Sequence, residues 1–204
     1  FGTLLGTIHR QGWQRRDELS QAFADRSFFE SLRLEPYYLY TAEQVPDAGA
    51  FLRKLVDDTR QHTITLAHGD YSPKNILIHA GRLVLLDHEV IHFGDPAFDL
   101  GFSMTHLLSK AHHLPAHRDA FITATNWYWA AYLEALGDVP WRDDLEPRAV
   151  RHTLGCMLAR VAGRSPLEYL DERERRRQRE SVVALLANPP GSVDALTAQL
   201  VSQW

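Results

Sequence analysis

Two acids and one amide in the middle of the chain have residue types and spacings suited to chemistry. Asp70 and Asn75 stand five residues apart in the segment HGDYSPKN, residues 68–75, and Asp87 follows further along. Carboxylate and amide oxygens are hard ligands of the kind that Mg²⁺ prefers, and a carboxylate can also take a proton from a hydroxyl. The pattern therefore predicts a metal site or a proton-transfer site, and we interpret it as both.

Short strands must hold these residues in place. Apolar runs of β type surround them, at residues 63–67, 76–78 and 83–86. The turn Ala80-Gly81 joins the second and third runs into a hairpin, which returns the chain so that Asp87 faces the loop that holds Asn75. Phosphoryl transfer from a nucleotide needs a base for the attacking hydroxyl and Mg²⁺ to neutralise the triphosphate. This arrangement supplies groups for both tasks.

These motifs resemble the catalytic and metal loops of the aminoglycoside phosphotransferase and choline kinase family. That family is related to the protein kinases, whose loops read H-R-D-x-x-x-x-N and D-F-G. Its H-G-D-x-x-x-x-N pattern is met by residues 68–75, its metal-loop aspartate by LLDHEV at 85–90, and its G-D-P-x-x-D-L element by residues 94–100. Because all three motifs occur in order and at compatible spacings, the resemblance is specific.

The resemblance implies a role for each matched residue. Asp70 would be the catalytic base that accepts the proton of the substrate hydroxyl. Asn75 and Asp87 would hold the Mg²⁺ ions that bridge the ATP phosphates. His68 would pack beneath the loop, and Asp99 would cap the loop through hydrogen bonds to its amides, so both would support it structurally.

Other polar residues near the motifs have less specific assignments. Lys74 either reaches the transferred phosphate or points into solvent. Asp95 either caps the helix that starts near Pro96 or helps to bind metal or substrate. The candidates for a substrate pocket are Glu89, His92, Asp95 and His106. The chain also departs from protein kinases, with Ser72 in the place of a lysine and His88 in the place of the D-F-G phenylalanine.

The sequence around the motifs is mainly helical. Amphipathic patterns predict helices over residues 1–10, 17–34, 47–60, 97–113, 115–136, 145–161, 168–186 and 193–201. The predicted fold class is therefore α+β and mainly helical, with a small β-hairpin insertion that carries the catalytic and metal loops.

The resemblance implies that residues 1–204 form the C-terminal lobe of a protein-kinase-like fold. Only about 60 residues precede the central strands, and none has the pattern of a β-rich nucleotide-binding lobe. We therefore interpret the chain as a fragment in which the N-terminal lobe is absent.

Composition restricts the partners. The net charge of −4 and the pI near 6.3 argue against nucleic acid. No apolar run approaches the ~20 residues that span a bilayer, so we expect no membrane association and a cytoplasmic location. The single cysteine, Cys156, lies in an apolar helical pattern and is predicted to be a buried thiol in a reducing compartment.

Histidine and aromatic clusters have plainer interpretations. His106, His112, His113 and His117 fit no zinc spacing, and we assign them to a helix end and the surface. The series Trp127, Tyr128, Trp129 and Tyr132 is typical of a core helix, whose buried face we assign to Trp127 and Ala131. A second interpretation has these rings hold a cationic acceptor, with acids from the set Glu134, Asp138, Asp143 and Asp144.

Together these observations predict an ATP-dependent small-molecule kinase, which moves the γ-phosphate to a hydroxyl and uses Mg²⁺. Two other classes stay open: a catalytically inactive pseudokinase-like or truncated interaction module, and a metal-dependent hydrolase. The acceptor is not identified, since an aminoglycoside, a choline-like amine, a sugar, an amino acid and a lipid head group all fit. The oligomeric state is not predicted.

Overall fold

The structure, a computed structural model, describes all residues from Phe1 to Trp204. It is built mainly from α-helices with small antiparallel sheets, so the predicted α+β class is correct at this level. The helices are α1 (Gly2–Gln14), α2 (Arg16–Ala22), α3 (Ser27–Phe29), α4 (Tyr40–Gln44), α5 (Pro46–Gln61), α6 (Pro96–His113), α7 (Arg118–Leu136), α8 (Leu145–Ala162), α9 (Glu172–Leu186) and α10 (Val193–Val201). None of them is long and apolar enough to cross a membrane.

The strands form two separate antiparallel pairs. Strands β2 (Ile76–His79) and β3 (Arg82–Leu85) make the predicted hairpin, with Ile76 opposite Leu85. Strand β1 (Thr65–Ala67) pairs with β4 (His92–Gly94), a strand that no sequence pattern predicted. The pairing of β1 with β4 brings the end of the metal loop back to the start of the catalytic loop.

The helix predicted over residues 17–34 is wrong in its bounds. Helix α2 ends at Ala22, and the chain restarts at Ser27, whose backbone N–H donates to the side chain of Asp25 at 2.9 Å. A π-helix, Glu30–Leu39, then continues past Pro36 instead of stopping there. Proline lacks the backbone N–H and crowds the preceding turn of an α-helix, and the wider π winding accommodates it.

Helix α6 lies at the centre and packs against α7 and α8, while α1 packs against α7. Gly101 permits the close approach of α6 to α8, because a Cβ atom there would collide with His152. The buried face of α7 is formed by Tyr128 and Tyr132, whereas Trp127 is exposed, so the predicted face was wrong. The packing of α7 against α1 and α6 decides which of its aromatic rings are buried.

Cys156 lies in this core. Its thiol is buried and forms no disulfide. Burial raises the pKa of the thiol to about 12, so it stays protonated near neutral pH and has no thiolate character.

The β2–β3 turn gives a prediction about backbone strain. Ala80 has φ 48° and Gly81 has φ 73°, which places both in the left-handed region that Asn and Gly tolerate best. Replacing Ala80 with asparagine is expected to stabilise the hairpin by about 0.5–1 kcal/mol. Replacing Gly81 with alanine is expected to destabilise it, although nothing lies within 4 Å of the added Cβ.

Hydrogen exchange of the Leu86 amide, which donates to the Asn75 carbonyl across the hairpin at 2.9 Å, measures both variants. We expect slower exchange in the Ala80→Asn variant and faster exchange in the Gly81→Ala variant. Equal exchange in the two variants would show that backbone strain does not control the hairpin.

Candidate active site

The predicted catalytic loop, residues 68–75, connects β1 to β2. Gly69 has φ 77°, and a Cβ atom there would lie 2.9 Å from the carbonyl oxygen of Val90. Glycine is therefore required for both conformation and space. A 3₁₀ turn, Pro73–Asn75, closes the loop, and the Asp70 between these points is only 2% exposed.

Asp99, in the first turn of α6, holds the beginning of this loop. Its two carboxylate oxygens accept hydrogen bonds from the backbone N–H groups of His68 and Gly69, each at 2.7 Å. A third contact joins Asp99 Oδ2 to Nε2 of His9 at 3.2 Å. Burial opposes ionisation of Asp99, but the hydrogen bond from His9 and the nearby His9 and His68 rings keep its pKa below the usual range.

His68 connects the loop to the hairpin. Its Nε2 donates to the Leu86 carbonyl at 3.1 Å, while its Nδ1 accepts from the backbone N–H of Asp70 at 3.2 Å. This pattern requires a neutral imidazole. Burial lowers the pKa of His68, which favours the same neutral form. The ring therefore connects the loop to the hairpin through two hydrogen bonds.

One oxygen of Asp70 is fully engaged and the other is free. Oδ2 accepts from the side-chain amide of Asn75 at 2.7 Å and lies 3.2 Å from the Arg33 guanidinium and 3.4 Å from the Lys74 ammonium. Oδ1 is buried and has no partner. Because buried polar atoms are normally paired, Oδ1 is suited to accept a hydrogen bond from a bound ligand.

Arg33 is a candidate site residue that no sequence pattern predicted. It projects from the π-helix, its side chain is 12% exposed, and its Nε donates to the Gly69 carbonyl at 2.7 Å. A single arginine on an amphipathic helix usually lies in solvent, so its type gave no signal. No other signal was available, because Pro36 ordinarily predicts a helix end and not the π-helix that places Arg33 at the site.

The hairpin places Asp87 directly beside the catalytic loop. The preceding residue, Leu86, is held from both sides, through its N–H by Asn75 and through its carbonyl by His68. Asp87 itself is exposed, has no hydrogen bond or ion pair, and adopts φ 64°. A left-handed backbone at a non-glycine residue stores strain and is found frequently at functional sites.

The side chains of Asn75 and Asp87 fit a Mg²⁺ ion in donor chemistry. The Asn75 amide nitrogen binds Asp70, which leaves the amide oxygen without a protein partner. The Asp87 carboxylate also has none. No three or more His, Cys, Asp or Glu side chains group into a metal site, so further ligands would have to come from nucleotide phosphates and water, as is common for Mg²⁺.

The residues predicted for a substrate pocket do not come together. Asp95 caps α6 by accepting from Ala97 N–H at 2.9 Å, and its oxygens face Arg148 at 3.4 Å and His152 at 3.7 Å. His92 is buried, stacked on Phe29 with ring centroids 4.0 Å apart. Glu89 is exposed on the metal loop. The fourth member of that set responds electrostatically to Asp70.

That residue is His106, on α6. Its ring packs edge-on against Phe102 with centroids 5.4 Å apart, and its Nε2 is buried without a partner. Burial lowers the pKa of His106 to about 4, with a further lowering by the positive charge of Arg160 and an opposing effect of Asp70. The imidazole is therefore neutral near pH 7.

Protonation of His106 is expected to lower the free energy of unfolding as the pH falls from 6.5 toward 4. The pKa of its imidazole is about 4 in the folded state and 6.5 for an unperturbed histidine, so between these values only the unfolded state binds the proton. The stability that the neutral ring contributes is complete above pH 6.5 and falls as the pH drops toward 4. Replacing His106 with glutamine should flatten the pH dependence of the free energy of unfolding there.

Urea unfolding at pH values above and inside this window measures the effect. Four other histidines have lowered pKa values and act in the same direction: His68, His92, His112 and His152. They are present in both proteins, so the difference isolates His106. An unchanged pH dependence in the variant would contradict the burial argument.

The class of protein follows from this fold and a comparison with known families. The model of the phosphotransferase enzyme family matches residues 1–137 of the 204, which include the catalytic loop, the metal loop and helix α6. The chain therefore belongs to the phosphotransferase enzyme family, and its general activity is phosphoryl transfer. No curated protein matches the chain.

Proposed function

We propose that the protein transfers the γ-phosphate of ATP to the hydroxyl of a small molecule, with Asp70 as the catalytic base. The observation that carries the proposal is the state of the Asp70 carboxylate. Oδ2 is fixed by Asn75 and Arg33 and also contacts the exposed Lys74, whereas Oδ1 is buried and unpartnered. A general base must be held still and still have a free acceptor.

The proposed reaction is a single displacement. The acceptor oxygen forms a bond to the γ-phosphorus while its proton passes to Asp70 Oδ1. The bond between the γ-phosphorus and the β–γ bridging oxygen breaks, and ADP leaves with that electron pair. Asn75 and Asp87 would hold Mg²⁺, which supplies neutralisation of phosphate charge. Lys74, whose side chain is 61% exposed, is free to leave Asp70 and contact the transferred phosphoryl group.

We further propose that the described chain is the C-terminal lobe of a protein-kinase-like fold. The support is the order of the motifs together with the largely exposed apolar hairpin, where Leu77 is 52% and Ile78 is 74% exposed. Such a surface is unusual on an isolated domain. Under this proposal the nucleotide-binding lobe lies outside the described residues, so activity is tested on the natural full-length protein.

The test is Mg²⁺-dependent formation of ADP from ATP by that protein, with and without hydroxyl acceptors. Replacing Asp87 with asparagine should raise the Mg²⁺ concentration needed for half-maximal rate by roughly tenfold to hundredfold or more. That is the loss of metal affinity found when a residue that only hydrogen-bonds to a metal ligand is removed, and a direct ligand should matter at least as much. Replacing Asp57 with asparagine, an exposed acid on α5, is the matched control and should change nothing.

Three outcomes separate the candidate functions. ADP formation that depends on Mg²⁺ and Asp87 supports the transferase. Absence of ADP formation with every acceptor contradicts it and favours the inactive, pseudokinase-like class. Phosphate release from a phosphorylated compound without ATP would instead indicate the metal-dependent hydrolase.

A further inference from the structure

Positively charged side chains gather next to Asp70. We define the cationic cluster as Arg33, Lys74, Lys110 and Arg160. Arg33 and Lys74 contact Asp70 directly, at 3.2 and 3.4 Å. Asp70 is the only acid that forms an ion pair with any member of the cluster. The region beside the free oxygen of Asp70 is therefore net positive.

Aromatic rings connect the members of the cluster. The guanidinium carbons of Arg33 and Arg160 lie 5.9 and 5.6 Å from the centroid of the Tyr37 ring. Arg160 also donates to the Tyr37 hydroxyl at 3.0 Å. Arg33 lies 5.7 Å from the ring of Phe102, the residue on α6 against which His106 packs. The two arginines thus lie on either side of a row of aromatic rings next to Asp70, formed by Tyr37 and Phe102.

Helix α6 continues this row with His106 and, one turn further, Lys110. His106 and Lys110 are four residues apart, so they share a helix face. The Lys110 ammonium lies 3.6 Å from the centroid of the Tyr169 ring. Arg160 acts electrostatically on both side chains: it adds to the lowering of the His106 pKa by burial, and it opposes the raising of the Tyr169 pKa by burial. The cluster is therefore one continuous group of cations.

Several polar atoms in this group lack partners inside the protein. Arg160 Nε, His106 Nε2 and the Tyr169 hydroxyl are all buried and form no hydrogen bond. An arginine Nε can only donate, and a tyrosine hydroxyl readily donates. Since such groups are rarely left unpaired in a native protein, they call for a ligand rich in oxygen acceptors.

The remaining acids do not offset this positive charge. Asp99 is committed to the loop amides and His9, and Asp95 to Arg148 and His152. Glu174, whose charge raises the pKa of Tyr169, is committed to His113 and to the backbone N–H of Asp171. Four acids were the candidates to bind a cationic acceptor: Glu134, Asp138, Asp143 and Asp144. Their side chains form no ion pair or hydrogen bond with any member of the cluster. The surroundings of Asp70 are thus unsuited to an amine or an aminoglycoside.

We propose that the phosphate acceptor is a hydroxylated acid whose carboxylate or phosphate group is bound by Arg160 and Lys110, with its hydroxyl directed to Asp70. This inference rests on the proposed function and specifies its substrate class. Guanidinium groups bind both anions in a bidentate manner. The Nη1 of Arg160 is committed to Tyr37 and Ser165, so the edge formed by its Nη2 and its unpartnered Nε would bind the anion. Lys74 remains available for the transferred phosphoryl group.

Four compounds with one carbon skeleton test the charge preference of the full-length protein: glycerate, glycerol 3-phosphate, glycerol and 3-amino-1,2-propanediol. We measure kcat/KM for ADP formation and identify each product by mass spectrometry. At least one of the two acids should exceed both glycerol and the amine by about tenfold or more, as expected for a charge-assisted contact. The better acid shows whether the site fits a carboxylate or a phosphate.

Variants of the cluster locate the binding groups. Arg160→Gln and, separately, Lys110→Gln should raise KM for the preferred acid about tenfold and so reduce its advantage over glycerol. Arg160→Lys should restore part of the loss. Arg173→Gln removes an equal charge from an exposed position on α9 and should have no effect. Thermal unfolding verifies that the Arg160 variants fold, and the Lys110 variant provides an independent test.

Failure of the inference differs from failure of the proposed function. If ATP hydrolysis without acceptor is Mg²⁺-dependent and is abolished by Asp70→Asn, the proposed function stands. In that case preference for the amine, equal use of all four compounds, use of neither acid, or no response to the cluster variants overturns the inference. If Asp70→Asn leaves nucleotide turnover unchanged, the proposed function itself is wrong.

Discussion

Replacing Asp70 with asparagine in the full-length protein is expected to lower kcat for phosphoryl transfer by about 10²–10⁴-fold, the usual contribution of a general base. Asparagine has the same shape and keeps an oxygen that can orient the acceptor hydroxyl. It cannot take the proton, however, because its amide is not basic near neutral pH. The loss should therefore appear in kcat with little change in KM for the acceptor.

The same substitution has a structural consequence that needs its own control. The Arg33 guanidinium, only 12% exposed, has Asp70 as its ionic partner. Neutralising Asp70 leaves a largely buried cation without a countercharge, which we expect to lower the free energy of unfolding by about 1–3 kcal/mol. The double variant Asp70→Asn with Arg33→Gln removes both charges and should recover part of that stability.

Activity and stability then respond differently. The double variant should be as inactive as the Asp70 variant although it is more stable. Single-turnover transfer and urea unfolding measure the two quantities on the same protein. A single variant that keeps kcat within about tenfold of the natural protein would exclude Asp70 as the base, whatever its stability.

The sequence predicted best those parts of the fold that are determined locally. Helix α6 was predicted over 97–113 and runs over 96–113, because Asp95 and Pro96 supply a cap and a first turn. Helix α10 was predicted over 193–201 and has those bounds, with Ser192 as its cap. The β2–β3 hairpin was equally local. The order and spacing of the motifs along these elements predicted the family.

Features that depend on distant contacts could not be predicted in this way. Strand β4 is short and pairs with β1 across the whole hairpin, so its own residues carry no periodic signal. The π-helix contradicts the ordinary effect of Pro36. Arg33 reaches the site only because of that helix. The cationic cluster joins segments from the π-helix, the loop, α6 and α8, and no local pattern connects them.

His9 illustrates the same limit at the catalytic loop. It lies in an amphipathic helix where its type suggests nothing, yet it is buried between Tyr132 and Asp99, at 2.9 and 3.2 Å. The contact ties α1 and α7 to the residue that holds the loop. Support of the loop is therefore a property of the tertiary packing, and Asp99 is the residue through which it passes.

Replacing Asp99 with asparagine is accordingly expected to cost about 3–5 kcal/mol of stability, the range for removing one partner from a buried charged network. The carboxylate accepts from three donors: the His68 and Gly69 amides and His9. Asparagine offers one accepting oxygen and presents an N–H₂ group where the second oxygen was. At least one buried N–H must then lose its partner and face another donor.

Asp194→Asn is a matched control for this change. Asp194 also lies in the first turn of a helix, α10, so the loss of favourable charge at a helix N-terminus is common to both variants, but its side chain is exposed. We expect it to cost only the ~0.3–1 kcal/mol of that helix effect. The excess cost in the Asp99 variant measures the loop contacts.

The pH dependence of the stability difference between the natural protein and Asp99→Asn provides a second test of the role of Asp99. The pKa of Asp99 is held below its usual 3.8 despite the opposing effect of burial, chiefly by the hydrogen bond and charge of His9. The stability that its ionised form contributes is present above pH 3.8 and is lost as the pH falls through the lower, folded-state value. The difference in the free energy of unfolding between the natural protein and Asp99→Asn, measured by urea unfolding, should therefore become smaller below pH 3.8. A gap that is small at pH 7, or no larger than that of Asp194→Asn, would show that Asp99 does not support the catalytic loop.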